Sequence, residues 1–513
     1  MQNRSPRFRD EYAILIGGLA CFLGYAIESR TGDLDGHRGR LAIVVLGTWL
    51  VFGFAAGTVF RRSGWETPPD PGRHRRRLVL VVLVAGCCQL PGVLTAPQSS
   101  TDAYRYVWDG RVQLAGVSPY RYVPLDDHLA HLRDPLLFPG LSPDQSSGVR
   151  TLDRLPRERG EVLQLARNDP RTLINRPRVP TIYPPLAQAW FTAVAAVTPR
   201  SLGTHGLQVG AALLAIVLTL GLGLLLLRRG TDPAQALWWG WCPLVVLEAG
   251  NGAHVDVLAT VLIVAAVAVR AGRAKGSRPQ WISAVVGGFL LGLAAAVKII
   301  PLLLLPALTG LRRRPGGGSR QLGLPVVAIG TFALTYLPHV LQVGVLVLGY
   351  LPGYLSEEGF SDSGSRYAVI ALVLPEPARQ PVALLLGAGL ALLALWRSEQ
   401  ARPERTAVWL FGGALLITTP AYAWYSLPLV ALAVLAGRWE WLAVPLAGYL
   451  AYASIRLPFL PGLSYAGAAL VVAAVTLARH RISSNQTGEL TFAVLSQHPM
   501  DRWMMIRKRF RTG

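Results

Sequence analysis

The feature that most limits the fold of this chain is a recurrence of apolar runs near the roughly 20 residues a bilayer demands, cut by short arginine-rich loops. Only 15% of the 513 residues are charged and 52% are hydrophobic, against about 25% charged in soluble domains. The runs therefore read as the spans of an all-α polytopic membrane protein. The net charge of +21 would suit a nucleic-acid binder, but most of the positive residues sit between apolar runs, as the positive-inside rule expects. No nucleic-acid partner is expected. Cys21, Cys87, Cys88 and Cys242 all fall inside apolar runs and offer neither metal spacing nor a disulfide framework. The first run lacks a small-residue cleavage site and is followed by many others, so it reads as an anchor.

Arg4, Arg7 and Arg9 precede a first span at about 11–28 and place the N-terminus in the cytoplasm. A loop with Asp33 and Asp35 lies outside. The second span, about 41–60, returns to a basic loop, and the third, about 78–96, goes out again. A polar segment of about 97–205 follows, the only long one in the chain. Within it, 183–198 is apolar but short, and Pro184-Pro185 suits a helix start. If this stretch lies in the interface, 21 of the Lys and Arg residues after His205 fall on the cytoplasmic side and 4 outside; if it spans, the ratio inverts. It is therefore expected to lie on the membrane, with the 97–205 loop external.

Further spans are expected at about 206–227, 233–250, 252–270, 281–297, 299–311, 322–346, 380–396, 405–419, 422–437, 440–457 and 463–479, giving about fourteen with both termini cytoplasmic. Cytoplasmic turns carry Arg228-Arg229, then Arg270, Arg273, Lys275 and Arg278, then Arg312-Arg313-Arg314, and 315–320 forms a flexible link. The chain divides into an N-terminal helix pair with a basic loop (1–77), a core bearing the external loop (78–350), C-terminal spans (351–479) and a basic cytoplasmic tail (480–513). The tail ends in Arg507-Lys508-Arg509-Phe510-Arg511, which suits anionic lipid.

The external loop opens on Thr101-Asp102-Ala103-Tyr104-Arg105-Tyr106-Val107-Trp108-Asp109-Gly110-Arg111. A carboxylate at the water-facing mouth of a helix can take a proton from a hydroxyl, and nearby arginines can hold a phosphate. The plainer alternative is an interfacial belt of aromatics and arginines. Glu248, His254, Asp256, Lys298 and His339 also fall near external helix ends, and ionisable groups in a membrane protein mark function by default. Against that, His254 and Asp256 make an ordinary polar cap of two helix ends, and Lys298 can snorkel to the headgroups. The loop of about 350–366, with Tyr350, Tyr354, Glu357, Glu358, Asp362 and Arg366, could cover the site as a lid. The turn Thr418 to Tyr425 emerges on the same side, its aromatics equally suited to a belt or to sugar platforms.

The run Asp102-x-x-Arg105-Tyr106-x-Trp108-Asp109-Gly110-Arg111-Val112-Gln113, followed by Ser118-Pro119-Tyr120-Arg121-Tyr122 and Thr181-Ile182-Tyr183-Pro184-Pro185, resembles the external loop of bacterial GT-C glycosyltransferases. It is most similar to the polyprenol-phosphate-mannose-dependent mannosyltransferases and their uncharacterised relatives. The Asn251 to Asp256 turn and Lys298-x-x-Pro301-Leu302 resemble that group as well, and the likeness covers roughly residues 80 to 430. It implies a GT-C membrane bundle that takes sugar from a lipid-phosphate donor on the outer face. It also implies a catalytic acid in the first long external loop, matched by Asp102, with Asp109 matching a second. The departure is the extra pair of helices ahead of the motif, whose role is open.

The residues suit that chemistry in their own right. A polyprenyl phosphate leaves as an anion and needs a cation more than an acid, for which Lys298, Arg105 or Arg111 is available. The acceptor hydroxyl must lose a proton, the work expected of Asp102. Asp109, followed by Gly110, suits a turn. Arg105, one helical turn beyond Asp102, is expected as its neighbour. Substrate contacts are expected from Tyr104, Tyr106, Trp108, Tyr183, His254, Asp256 and Tyr425. One displacement with a base and no protein nucleophile would invert the anomeric centre. The long loop holds no Asp-x-Asp pair, so no cofactor is expected, with a divalent metal left open. The expected partners are a polyprenyl-phosphate sugar donor, with mannose as the sugar implied by the resemblance alone, a lipid or glycan acceptor, and membrane lipids. A secondary transporter is the alternative, but such proteins hold ionisable groups at the midplane and show internal repeats; here the groups cluster at one face. A lipid-binding scaffold without activity would not need the paired acids.

Overall fold

The computed structural model describes residues 7–32, 34–62, 71–152, 154, 159–271, 280–310, 323–360, 366–399, 401–453, 457 and 459–496. Arg4, Asp33, Arg273, Lys275, Arg278, the Arg312–Arg314 turn, the 315–320 link, Asp362 and the closing Arg507–Arg511 run lie outside them. Among the described residues the chain is helical, with no strand.

Three helices rich in Leu, Val and Ala open the chain: α1 (Arg7–Glu28), α2 (Leu34–Arg62) and α3 (Pro71–Val93). α1 packs against both α2 and α3. The polar segment follows with α4 (Asp102–Leu114), α5 (Arg159–Leu165) and α6 (Pro185–Val197), and α7 (His205–Arg228) returns to the apolar pattern. Pro185 occupies the first position of α6, where its missing N–H costs no hydrogen bond. Among the described residues, seven helices are long and apolar enough to cross a bilayer: Glu11–Glu28, Gly39–Phe60, Pro71–Val93, His205–Arg228, Gly323–Glu357, Glu376–Arg397 and Leu460–Arg481.

The other segments expected as spans are helical but short or broken. The stretch 233–251 runs through a 3-10 turn, two short α-helical pieces started by Leu237 and Pro243, and a π-helical turn, Val246–Asn251. Prolines interrupt 300–309 in the same way, where a 3-10 turn with Pro301 leads into a short helix with Pro306. Length and composition by themselves give seven crossings.

The polar segment carries its own small core, in which Tyr106, Trp108, Leu125, Leu129, Phe138 and Phe191 are buried together. Gly110 lets α4 and α6 touch: a β-carbon there would lie 2.5 Å from the Phe191 carbonyl oxygen. The Asp109-Gly110 pair therefore makes no turn. It sits inside α4, where the glycine serves close approach instead of a bend.

The π-helical turn locks onto the end of α3. Asn251 donates from Nδ2 to the carbonyls of Gly92 (3.2 Å) and Ala96 (2.9 Å) and accepts from the backbone N–H of Gln98 at 2.7 Å. The Gln98 side chain then reaches the first hairpin, donating to the carbonyls of Glu28 (3.2 Å), Ser29 (3.3 Å) and Gly32 (3.1 Å). The extra helix pair is thereby tied to the start of the polar segment.

Candidate functional site

A cavity of ≈ 1140 Å³ opens between the polar segment and the helix ends. Its polar side carries Asp102, Tyr104, Asn175, Arg176, Tyr183 and Lys298; Ile299, Ile300, Leu302, Leu303, Phe411 and Leu415 give it an apolar wall. Such a space suits a ligand with a polar head and a hydrocarbon tail. Ser29 and Gly32, from the turn after α1, also line it, so the N-terminal hairpin forms part of the wall.

Asp102 is the first residue of α4, where a negative charge is favoured by the helix dipole. Its Oδ1 accepts from the Asn175 amide and its Oδ2 from the Tyr183 hydroxyl at 3.2 Å. Burial, with the Asp102 charge beside it, pushes the Tyr183 phenol well above its ordinary pKa, so that group stays a donor. The Asp102 side chain keeps 15% of its surface open toward the cavity. It is thus a carboxylate held by neutral donors, with no arginine or lysine paired to it.

Arg105, expected beside Asp102, turns the other way. It donates to Asp109 Oδ1 at 3.0 Å, one turn on, and to the Val179 carbonyl at 3.1 Å. Asp109 is 2% exposed and also accepts from Gln188 Nε2 at 3.0 Å. Arg111 pairs with Asp134 and the Arg200 carbonyl, beside a second cavity of ≈ 140 Å³. Neither arginine lines the large cavity, and each already has an ion-pair partner that fixes it. Trp108 packs edge-on against Phe138 at 4.9 Å, and Tyr106 stacks on Phe191 at 4.3 Å beneath Tyr183. Both are core residues of the polar segment, away from the cavity surface.

Lys298 does reach the cavity. Its Nζ lies 2.8 Å from both carboxylate oxygens of Asp256 and 4.2 Å from the centre of the Tyr425 ring. His254 is fully buried behind the surface, stacked on Trp424 at 4.0 Å, and Asp256 touches the cavity only through Lys298. One cationic group here, Arg176, escaped sequence reasoning, whereas Arg366 was named in the expected lid loop. Arg176 grips Glu357 at 2.6 Å from a left-handed backbone (φ 45°), and Arg366 pairs with Glu358. Tyr354 bonds to the Tyr425 hydroxyl, and Leu351, Tyr354, Leu355, Glu357, Phe360 and Arg366 from the segment of about 350–366 line the cavity, residues 361–365 lying outside the described ones. Among the described residues, no three His, Cys, Asp or Glu side chains are grouped to hold a metal ion.

Residues 177–313, about a quarter of the chain, match the family described as Alpha-(1->6)-mannopyranosyltransferase, N-terminal domain. The chain is a glycosyltransferase of the mannosyltransferase kind. The matched stretch holds Tyr183, His254, Asp256 and Lys298, whereas Asp102 and Asp109 lie ahead of it. No curated protein and no solved structure matches the chain. With its long apolar helices, this glycosyltransferase is a membrane protein that takes a sugar donor and an acceptor as substrates.

Proposed function

We propose that the protein moves mannose from a polyprenyl-phosphate donor to an acceptor hydroxyl at the external membrane face, with inversion and with Asp102 as general base. The observation that carries this reading is the joint placement of Asp102 and Lys298 on one apolar-walled cavity of ≈ 1140 Å³. The polyprenyl tail would lie against Ile299 to Leu303, and the phosphate would face Lys298. The acceptor oxygen would approach Asp102, whose neutral partners Asn175 and Tyr183 leave it able to accept a proton.

Charge on the phosphate grows as its bond to the anomeric carbon breaks, so a cation there lowers the barrier more than it strengthens ground-state binding. Lys298 would share its charge between Asp256 and the phosphate, with Arg176 a second candidate on the same surface. Asp109 and Arg105 would form a buried strut inside α4, and Arg111 would anchor the external segment to Asp134. Tyr104, Tyr183 and Tyr425 are the aromatics placed to meet the sugar. The site faces outward with both termini cytoplasmic in this reading, and residues 78–350 form the catalytic core.

Purified protein supplied with a synthetic polyprenyl-phosphate mannose and a hydroxyl acceptor, with products followed by mass spectrometry, tests the assignment. Transfer with inverted anomeric configuration is the expected result. Transfer from a nucleotide sugar and none from the lipid phosphate would overturn it.

A further inference from the structure

Behind Asp102 the chain builds a second polar layer that the displacement itself does not use. His254 and Glu248 are both fully buried. The imidazole is clamped against Trp424 with an interplanar angle of 18°. Its Nε2 lies 3.1 Å from Glu248 Oε2 and 3.4 Å from Ser100 Oγ. Its Nδ1 has no hydrogen-bond partner among the described residues and faces Asp102 Oδ2 at 3.9 Å. Glu248 is itself fixed by Tyr449, whose hydroxyl donates at 2.6 Å, and by Ser99 at 2.8 Å. The backbone is bent to permit this: Ala253 adopts a φ of 53°, and the His254 N–H donates to the Glu248 carbonyl at 2.8 Å.

A buried ring nitrogen without a partner is costly and calls for an explanation. A polar cap of two helix ends would satisfy both nitrogens; this one satisfies Nε2 and aims Nδ1 at the cavity carboxylate. A buried carboxylate that orients an imidazole toward a third group is also the arrangement by which proton-transfer chains fix a histidine tautomer.

We infer that His254, oriented by Glu248, is the positioning residue that resets Asp102 after each transfer. The inference rests on Asp102 being the base. In the transfer, the acceptor oxygen bonds to the anomeric carbon while the carbon–oxygen bond to the phosphate breaks and its electron pair leaves with the phosphate. The hydroxyl proton moves to Asp102. With the neutral ring donating from Nε2 to Glu248, Nδ1 is free to take that proton once the separation closes from 3.9 Å to a hydrogen bond of about 3 Å. This leaves an imidazolium between two carboxylates and returns Asp102 to its basic form. The proton passes back through Asp102 to water when product leaves. The charged or titratable groups facing this pair are Asp102 from α4, Glu248 from the π-helical turn, Tyr449 behind Glu248, Glu28 from α1 within reach of the Glu248 charge, and Asp256 with Lys298 two residues on.

The pH profile of kcat, measured with full-length protein and the mannolipid donor, tests this. His254→Asn places an amide nitrogen near the Nδ1 position but cannot take up a proton. It should lower kcat about ten- to a hundred-fold and move the acidic limb of the profile, with donor KM unchanged. Glu248→Gln keeps the shape and should move the same limb. Unchanged kcat and profile in His254→Asn, with Asp102→Asn inactive, would overturn the relay and leave the base assignment standing. An active Asp102→Asn would instead remove the base assignment. If neither buried variant folds, the wild-type profile decides: two coupled groups give an acidic limb of log kcat with a slope above one, and a slope of one overturns the inference.

Discussion

Lys298 and Asp256 face each other across one helix-to-helix corner, with Nζ 2.8 Å from each carboxylate oxygen. A lysine so held is not stretched toward the headgroups. Lys298→Met should weaken binding of the mannolipid donor about ten- to a hundred-fold, the loss of a charged hydrogen bond worth about 1.5–3 kcal/mol. It also leaves Asp256, 3% exposed, without its partner, which lowers the melting temperature. Adding Asp256→Asn should restore the melting temperature but not the affinity. Donor titration and turnover alongside thermal denaturation separate the effects, and wild-type affinity together with wild-type turnover in Lys298→Met would return the lysine to a structural role.

Asp102→Asn preserves the shape that Asn175 and Tyr183 hold and removes the proton acceptor. Transfer should fall about a hundred-fold or more while donor binding survives. Asp109→Asn leaves Arg105 buried without its ion pair, so its main effect should be on stability. Turnover and melting temperature measured on both variants check the division of roles. Near-normal turnover in Asp102→Asn, with none in a folded Asp109→Asn, would reverse it.

The external placement of 97–205 can be read by labelling. Asp144 is fully exposed, so Asp144→Cys in a Cys87→Ser background should react with an impermeant maleimide on intact cells. Reaction only after lysis would put the site on the wrong face.

Gly110→Val should open the contact between α4 and α6, since even a β-carbon would lie 2.5 Å from the Phe191 carbonyl oxygen. Overpacking of this kind typically costs about 1–3 kcal/mol. Thermal denaturation gives the size, and a variant as stable as wild type would mean that the helices separate freely.

Asp169 contributes to the pH dependence of the polar segment. Its hydrogen bond from Arg171, with further help from Arg178, holds the carboxyl below the usual carboxylate range. A depressed folded pKa means that the stabilisation is complete above the unfolded value of about 3.9 and fades as pH falls through the folded one. The gap in melting temperature between wild type and Asp169→Asn should be widest near neutrality and narrow below about pH 4. A gap that widens with acid would contradict the pairing.

The helical segments were legible because burial in lipid leaves a direct mark on composition. Asp102 was legible because a carboxylate just past an apolar run has few other reasons to be there. The arginines of the same motif were not, since a guanidinium's partner is set by three-dimensional packing: Arg111 meets Asp134 and Arg105 meets the carbonyl of Val179. Arg176 was hidden for a related reason. It lies in irregular chain, and its partner Glu357 is 181 residues away. The Asn175-Arg176-Pro177 run shortly before Tyr183-Pro184-Pro185 was the one available signal. His254 was read as meeting substrate because the helix-end position could not tell which way the ring points; the left-handed Ala253 turns it inward.

The three carbonyls that receive the Gln98 amide belong to the turn between α1 and α2. A ribosome makes that hairpin before it makes Gln98, and makes the Asn251 that holds the Gln98 backbone much later. The tether can therefore close in the nascent chain while most of the cavity does not yet exist. Assembly of this site then proceeds from its oldest wall outward, with the catalytic segment parked against a finished hairpin until the helices that complete the pocket arrive.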